Sequence, residues 1–314
     1  MVLCKRPIPA VAAAILAVAV TVAAAAGVPV ATASANYTTG SSSRATATDW
    51  SVDGPVRTSR LLGGRIVGAA QANSPAVFFT KIFASDGVSY FCGGSLISPR
   101  HVLTRAGCQV EVDDLLRVGG TGIWDGLEVR VGAVAIHPDY APTDYLYDVA
   151  VLTIADPPSA ADLAAAGVVP ARLNGWVWTE DSASKPRDFV VAGFGAVDAA
   201  ATTLGSTALK VGIQRRSDWS TCTPATDDIP VSTVVAAQVC TNVGAGASVS
   251  LCSNDGGGPL ARPYTYRGQV VWQLFGVASY WVTNKEGDPC TQGLPNVYTR
   301  VEPVRQWIWE QMVW

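Results

Sequence analysis

From Ile66 to the C-terminus, short apolar or alternating runs are separated at close intervals by Gly, Pro, Asn and Asp. This pattern is typical of short strands joined by turns, and it predicts an all-β barrel or sandwich. The clearest predicted strands are Ser89 to Ser98, Leu127 to Ile136, Val190 to Gly195, Ala208 to Gln214, Val270 to Ala278 and Val297 to Val301. Helical patterns occur at Ala160 to Ala166 and in the tail from Pro303 to Trp314.

The first 35 residues have the features of a secretory signal peptide. Lys5 and Arg6 form a positive start, an Ala-rich apolar run follows, and Ala33-Ser34-Ala35 offers small residues for cleavage. An uncleaved membrane anchor is the alternative, because the apolar stretch 8–30 is almost long enough to span a bilayer. The Ala-rich composition and the cleavage-like triplet favour the signal peptide. We therefore expect a secreted, extracellular protein with no membrane contact after signal removal.

Residues 36–65 are rich in Thr, Ser, Ala and Gly and contain few large apolar side chains. Such a composition cannot bury enough apolar surface to offset the entropy cost of ordering, so we expect a flexible pro-segment. Asn36-Tyr37-Thr38 is a glycosylation sequon, which is used only if the source has that machinery. The folded domain is expected to cover 66–314.

Composition and charge narrow the function classes. With 49% hydrophobic and 15% charged residues, the chain belongs among globular proteins. Its formal net charge of -3 gives no basic field, so we exclude nucleic acid as a partner. No spacing of Cys or His suggests a metal site, and we expect neither a metal nor another cofactor.

Seven cysteines become an even set when Cys4 is assigned to the removed signal peptide. The remaining cysteines are Cys92, Cys108, Cys222, Cys240, Cys252 and Cys290. In an exported chain this set predicts three disulfides, although spacing alone permits fifteen connectivities and selects none of them.

Five motifs follow one another along the chain. They are Arg65-Ile66-Val67-Gly68, Cys92-Gly93-Gly94-Ser95-Leu96-Ile97-Ser98, Val102-Leu103-Thr104, Asp148-Val149-Ala150-Val151-Leu152 and Asp255-Gly256-Gly257-Gly258-Pro259-Leu260. Together with the cysteine frame, this order resembles the chymotrypsin/trypsin family of serine proteases from Ile66 to the C-terminus. One motif would be weak, whereas five in register make chance a negligible explanation.

The resemblance implies two antiparallel β-barrels with a cleft between them, followed by a C-terminal helix. We expect the first barrel at about 66–175, the second at about 186–302 and the helix at about 303–314. The Pro/Gly/Ser-containing stretch 170–186 is the expected joint. The family also implies the disulfide pairs Cys92 with Cys108, Cys222 with Cys240 and Cys252 with Cys290.

The family's chemistry needs a serine nucleophile, a histidine base and a buried aspartate that orients the histidine. The family's histidine segment reads Val-Leu-Thr-Ala-Ala-His-Cys, and this chain has Gly107 at the position of the histidine. Its nucleophile segment reads Cys-x-Gly-Asp-Ser-Gly-Gly-Pro, and this chain has Gly256 at the position of the serine. Only Asp148 keeps its triad position. We therefore predict a serine protease pseudoenzyme.

No other residue is an evident substitute. The two histidines, His101 and His137, are expected to be structural, and Ser253 lies three residues before the nucleophile position. Asp148 is expected to be held by backbone donors. One alternative is that Arg105, which stands where the family usually has alanine, reaches the space at Gly107 and pairs with Asp148. Water in that space is another alternative.

The specificity pocket also departs from the family pattern. Ser250 falls at its base, where trypsin-like members have an aspartate for basic side chains. Trp281 and Asn296 replace two pocket glycines, and the indole is expected to narrow or close the pocket. A shifted register is the alternative for Trp281. Asn254 takes the place of the glycine whose amide helps to form the oxyanion hole.

The residues of the family's activation switch are present. In the family, cleavage after a basic residue frees the amine of an Ile, which pairs with the aspartate before the nucleophile. Here these residues are Arg65, Ile66 and Asp255. The switch is either functional or inherited without use.

We expect a monomeric, non-catalytic homologue that binds another protein. The segment Cys92 to Thr104 is similar to secreted glucanase inhibitors of oomycetes, which implies a secreted hydrolase as partner; a protease-cascade cofactor is a related hypothesis. Serine-type endopeptidase activity is the alternative if the two lost triad positions are compensated. A third hypothesis is a lectin-like module in which Trp176 and Trp178 contact carbohydrate.

Overall fold

The computed structural model describes residues 65–66, 73–175, 188–195, 206–222, 236–242, 250–281 and 295–313. The predicted signal peptide, almost all of the predicted pro-segment and the sequon at Asn36 lie outside these residues. So do the expected joint after residue 175, the tryptophans Trp176 and Trp178, and Cys290. The described residues belong to one compact unit, Ala45–Trp314.

The first barrel is a closed antiparallel sheet of six strands in the order β2-β3-β4-β7-β6-β5. These strands are β2 (Phe79–Phe83), β3 (Tyr90–Ser98), β4 (His101–Thr104), β5 (Leu115–Val118), β6 (Leu127–Ile136) and β7 (Ala150–Ile154). A short helix, α1 (Ala160–Ala165), follows the barrel. Ser159 caps it: the Asp162 amide donates to the Ser159 hydroxyl, and the Ser159 amide donates to the Asp162 carboxylate.

The second barrel has the order β9-β10-β11-β14-β13-β12 and closes because β12 pairs with β9. Its strands are β9 (Asp188–Gly193), β10 (Lys210–Arg216), β11 (Gln238–Asn242), β12 (Pro259–Tyr266), β13 (Gln269–Trp281) and β14 (Asn296–Arg300). Two short strands join this sheet at its outside: β1 (Arg65–Ile66) pairs with β10, and β8 (Arg172–Leu173) runs parallel to β13. The predicted architecture of two antiparallel barrels is confirmed.

The C-terminal helix, α2, spans Val301–Gln311. It begins two residues before the predicted start at Pro303. A proline is tolerated there because the first turn of a helix does not need its N–H groups for internal hydrogen bonds. Its buried side chains, Val301, Val304 and Ile308, extend the main apolar core. Within the described residues, no helix has the length and apolar character needed to span a bilayer.

Aromatic side chains pack the two barrels together beside the cleft. Phe79 and Tyr90 of the first barrel contact Phe194 of the second, with ring centroids 5.6 and 6.1 Å apart. Close approach of the backbones requires small residues: a Cβ added at Gly93 would lie 3.3 Å from the Cα of Gly258. The Gly93 amide accordingly donates to the Gly256 carbonyl at 2.8 Å. The strand β3 thus fixes the loop that carries Gly256.

Two predicted disulfides are confirmed. Cys92 is bonded to Cys108, with their Cα atoms 6.2 Å apart, and Cys222 is bonded to Cys240, with a Cα separation of 5.9 Å. Cys252 is also disulfide-bonded. Its predicted partner, Cys290, lies outside the described residues, so the third pairing stays a prediction.

Candidate functional site

Asp148 is fully buried between the barrels. Its Oδ1 accepts a hydrogen bond from the Gly107 amide at 2.7 Å, and its Oδ2 accepts one from the Ser279 hydroxyl at 2.6 Å. The Ala106 amide is a further donor. Burial raises the pKa of Asp148, and these hydrogen bonds, together with the nearby charge of Arg105, oppose that rise. The carboxylate therefore fixes the 106–108 turn to the second barrel.

Gly107 places no side chain in front of this carboxylate. A Cβ added at Gly107 would lie 3.4 Å from Asp148 Oδ1, 3.3 Å from the Tyr140 hydroxyl and 3.6 Å from Arg105 Nε. Three polar groups thus surround a position that carries no side chain. An imidazole attached there would begin beside the Asp148 carboxylate, as the family's histidine does.

The side chain of Arg105 covers Gly256. A Cβ added at Gly256 would lie 2.6 Å from Arg105 Nε and 2.8 Å from its Cζ, which is too close for both to occupy their positions. The guanidinium is held by a hydrogen bond from Nη1 to the Ser279 carbonyl. The space in which a side chain at position 256 would begin is therefore filled by Arg105.

This arrangement differs from the direct ion pair considered for Arg105 and Asp148. Within the described part of the chain, no nitrogen of Arg105 forms an ion pair with the Asp148 carboxylate. Arg105 and Asp148 are instead linked through Ser279. The Arg105 guanidinium donates to the Ser279 carbonyl, and the Ser279 hydroxyl donates to the Asp148 carboxylate. Because the Arg105 guanidinium does not contact the Asp148 carboxylate, its charge lowers the pKa of Asp148 by less than burial raises it.

The loop that precedes β12 is fixed by its main chain. The Gly257 amide donates to the Ala278 carbonyl at 2.8 Å, and the Ala278 amide donates to the Gly258 carbonyl at 2.9 Å. Asn254 has φ 71°, a left-handed conformation that asparagine tolerates better than most residues. The Tyr90 hydroxyl donates to its carbonyl at 3.0 Å. In the described residues, the amides of Asn254 and Gly256 make no hydrogen bond.

Asp255, like Asp148, is a buried carboxylate held by main-chain amides. Its Oδ1 accepts from the Gly195 amide at 2.7 Å, and its Oδ2 accepts from the Cys252 amide at 3.0 Å. Gly193 and Gly195 lie against the carboxylate, where any Cβ would overlap with it. Burial raises the pKa of Asp255 to about 7, although the two amides and the charge of Lys210 lower it.

Arg65 and Ile66, the other residues of the predicted switch, form the short strand β1. Arg65 pairs with Val211, and Ile66 pairs with Lys210, on β10. In this continuous chain the nitrogen of Ile66 is a peptide nitrogen, so it carries no charge for Asp255.

The predicted specificity pocket contains a buried polar network centred on Asn296. The Asn296 Oδ1 accepts from Gln214 Nε2 at 2.5 Å and from the Leu251 amide at 3.0 Å, while its Nδ2 donates to the Ser250 hydroxyl at 3.2 Å. Tyr298 donates from its hydroxyl to the Oε1 of Gln214 at 2.7 Å. A glycine at position 296 would remove all three of these hydrogen bonds of Asn296; that the side chain narrows a specificity pocket stays a prediction.

Trp281 lies at the end of β13 and pairs with Asn296 on β14. Its indole is partly buried and packs against an apolar cluster of the second barrel that includes Leu251. Trp281 and Asn296 are thus paired on neighbouring strands; that both replace pocket glycines of the family stays a prediction.

His101 and His137 have partners outside the site around Asp148. The Nδ1 of His101 is 2.8 Å from the Ser98 hydroxyl, and the ring of His137 stacks on Tyr147 and contacts Trp307. Neither contacts the Asp148 carboxylate in the part of the chain that the structure describes. Over the same residues, no group of three His, Cys, Asp or Glu side chains is arranged to hold a metal ion.

The sequence profile of the family described as Trypsin matches residues 66–308. The chain belongs to the trypsin family. Trypsin from Saccharopolyspora erythraea is 30% identical over 259 residues, which cover 79% of this chain and 98% of that protein. Neuropsin, a serine protease expressed in the limbic system of mouse brain, superposes with a TM-score of 0.58 over 76% of this chain and 96% of neuropsin. At 22% identity this likeness supports the trypsin fold alone.

Proteins named as inhibitors are also among the trypsin-family relatives. Glucanase inhibitor protein 1 from Phytophthora sojae is 31% identical over 234 residues, covering 69% of this chain and 77% of that protein. Glucanase inhibitor protein 3 from Phytophthora infestans is 26% identical over 261 residues, covering 79% and 86%. The predicted resemblance to the trypsin family and to glucanase inhibitors is confirmed.

Sequence reasoning singled out Arg105 but did not place it over Gly256. It also missed Gln214, which organises the network beneath Asn296, and Ser279, which links Arg105 to Asp148. Neither residue carries a sequence signal of its own, because a polar side chain on an alternating strand is usually exposed. Only the pairing of strands shows that these two are buried.

Proposed function

We propose that this trypsin-family chain is a secreted, non-catalytic homologue that binds another protein and inhibits a secreted hydrolase such as a glucanase. The observation that carries the proposal is the placement of Arg105 over Gly256, in the space where a nucleophile's side chain would begin. A protease-cascade cofactor would use the same binding property. Under either role, the predicted signal peptide directs the protein outside the cell.

The proposed loss of catalysis has three physical causes at three places. Gly107 provides no imidazole to accept a proton, and Gly256 provides no hydroxyl to attack a carbonyl. Asn296 occupies the base of the pocket that would hold a substrate side chain. In a serine protease of a different fold that uses the same chemistry, removing triad groups lowers turnover about 10⁶-fold, roughly 8 kcal/mol of barrier. Asp148 alone has no imidazole to orient.

The relatives include both proteins named as proteases and proteins named as inhibitors. Several are named as trypsins, which keeps serine-type endopeptidase activity as the competing function. The two glucanase inhibitor proteins support an inhibitory role for this scaffold. The geometry at Arg105 favours the second function, because any nucleophile at position 256 would first have to displace that side chain.

The direct test is inhibition of a panel of secreted glucanases and trypsin-like proteases by the purified protein. We expect one enzyme to lose activity in proportion to the added protein, with the end point at one equivalent. Soluble β-glucan without an enzyme serves as the control, since a lectin-like module would bind it alone. Sugar binding without inhibition of any hydrolase would contradict the proposal.

A further inference from the structure

The guanidinium of Arg105 has three nitrogens in three different situations. Nη1 donates to the Ser279 carbonyl. Nε lies over Gly256, buried and without a hydrogen-bond acceptor. Nη2 has no acceptor in the described residues and, unlike Nε, is not buried. The side chain is thus anchored on one side, while one charged N–H group stays open to the cleft.

Other free donors surround this group. The Gly256 amide, directly beneath Arg105, has no acceptor among the described residues. The Tyr140 hydroxyl makes no hydrogen bond there either, and it lies 3.3 Å from the position of a Gly107 Cβ. By contrast, the nearby acceptors are occupied, since Asp148 and the Ser279 carbonyl already accept hydrogen bonds. Nη2, the Gly256 amide and the Tyr140 hydroxyl are therefore groups that can donate and that find no acceptor among the described residues.

Two further tyrosines lie on the side of Tyr140, because the Tyr145 amide donates to the carbonyl of Ala141, the residue after Tyr140, at 2.8 Å. Tyr280 follows Ser279 on β13, and its ring centroid is 5.4 Å from that of Tyr145. Tyr145 is 40% exposed, and its backbone has φ 55°. The side-chain amide of Gln238 donates a hydrogen bond to the Tyr145 carbonyl at 3.0 Å. Tyrosine and arginine are enriched among the residues that dominate protein–protein binding energies. The exposed Tyr145 ring thus offers contact surface to a partner that reaches Tyr140 and Arg105.

We propose that this cleft is a carboxylate-binding site in which Arg105 receives an Asp or Glu side chain from a projecting loop of a protein partner. The proposal rests on the proposed function, because it names the chemical group by which the partner is recognised. A carboxylate supplies the acceptors that Nη2 and the Tyr140 hydroxyl lack. Hydrogen bonds in which the donor or the acceptor is ionised are roughly twice as strong as those between neutral groups, and here both are ionised for the pair of Arg105 and a carboxylate.

Asp148 does not compete for this role. Its oxygens accept hydrogen bonds from the Gly107 and Ala106 amides and from Ser279, and it forms no ion pair with Arg105 in the described residues. The free edge of the guanidinium therefore remains available to a ligand. A neutral amide of the same shape would supply one acceptor and two unwanted donors, so it should bind more weakly.

The test uses 3-phenylpropionate as the probe and its neutral amide, 3-phenylpropionamide, as the matched comparison. Binding is followed by the NMR shifts of the Arg105 Nε–Hε group and of backbone amides in the 105–108 and 254–257 segments. We expect the carboxylate to bind at least tenfold more tightly than the amide. Arg105→Gln should abolish this preference, Arg105→Lys should retain part of it, and Arg100→Gln, which changes an exposed arginine nearby, should leave it intact.

Three results would overturn the site: equal affinity for acid and amide, an unchanged preference in Arg105→Gln, or no shift with either probe at high concentration. Amide spectra of each variant show whether it is folded, so a misfolded Arg105→Gln would be recognised, and Arg105→Lys would then carry the comparison. Inhibition of the hydrolase panel separates the two proposals. If wild type and Arg105→Gln inhibit an enzyme equally, the site fails and the function stands; if wild type inhibits nothing, the function fails whatever the probes do.

Discussion

Asp148 and Asp255 are two buried carboxylates in the same cleft region, and they differ in what surrounds them. Asp255 is enclosed by Gly193 and Gly195 and by the amides it binds, so its surroundings permit little change. Asp148 lies beside Gly107, which has no side chain, and Arg105 Nε and the Tyr140 hydroxyl lie close to the same position. Both carboxylates therefore hold the main chain around them, but only Asp148 also has a neighbouring position without a side chain.

The largest expected effect comes from removing the carboxylate of Asp255. Asp255→Ala leaves the buried amides of Gly195 and Cys252 without acceptors, so the free energy of unfolding should fall by about 3–5 kcal/mol, measured by urea denaturation at pH 4, where the Asp255 contribution is fully present. Asp255→Asn keeps one acceptor oxygen and should lose less. Equal stability of Asp255→Ala and wild type would mean that Asp255 does not anchor the loop.

The stability of the protein should depend on pH through Asp255. Burial raises the pKa of Asp255 from 3.8 to about 7, so its contribution to stability is present below pH 4 and is lost as the pH rises through 7. Relative to Asp255→Asn, wild type should lose up to about 4 kcal/mol of unfolding free energy between pH 4 and 8. Parallel pH profiles of the two proteins would contradict the raised pKa.

Cleavage after Arg65 extends this experiment to the predicted switch. If the freed amine of Ile66 pairs with Asp255, the charged carboxylate gains a partner and the loss of stability above pH 4 should shrink. Trypsin-nicked protein, whose new N-terminus is checked by mass spectrometry, is therefore compared with intact protein over the same pH range. Identical profiles would indicate that the switch is inherited without use.

Opening the specificity pocket should have a smaller effect. Asn296→Gly removes the acceptor of the Leu251 amide and the partner of Gln214, and unfolding free energy should fall by about 2 kcal/mol. Thermal and urea unfolding measure the change. Asn296→Asp, which keeps the acceptor oxygen but cannot donate to Ser250, is the matched control. An increase in stability on Asn296→Gly would show that the network is strained rather than stabilising.

The smallest effect is the coupling between Arg105 and Gly256. Gly256→Ser should destabilise the protein by about 1–2 kcal/mol when Arg105 is present, because the new Cβ overlaps the arginine side chain. In an Arg105→Ala background the same substitution should cost less. A double-mutant cycle from urea denaturation gives the difference. Additive effects would mean that Arg105 does not fill the space above Gly256.

Much of the fold was predictable because it depends on local patterns. The strand Leu127–Ile136 has the predicted bounds, and two predicted disulfides form. Contacts between residues that lie far apart in the sequence could not be predicted in this way. Lys81 is fully buried in the first barrel, where its Nζ donates to the carbonyls of Gly119, Gly122 and Asp125; a sequence pattern gives no sign of such a site.

In the candidate site too, some features could be predicted from the sequence and others could not. The positions of Gly107, Asp148 and Gly256 followed from motifs, because each motif carries its own register. The path of the Arg105 side chain could not be predicted, since it depends on the Ser279 carbonyl, 174 residues away, and on the absence of a side chain at Gly256. A long side chain has many rotamers, and only the assembled cleft selects one.

The most direct test of the account is turnover of casein and chromogenic peptides by wild type, by Gly107→His with Gly256→Ser, and by that pair combined with Arg105→Ala. Each is assayed before and after nicking at Arg65. We expect no turnover by wild type, and more turnover by the triple variant than by the double variant, since only the triple variant frees the serine from Arg105. Turnover by wild type that survives Asp148→Ala would contradict the account and indicate a different catalytic site.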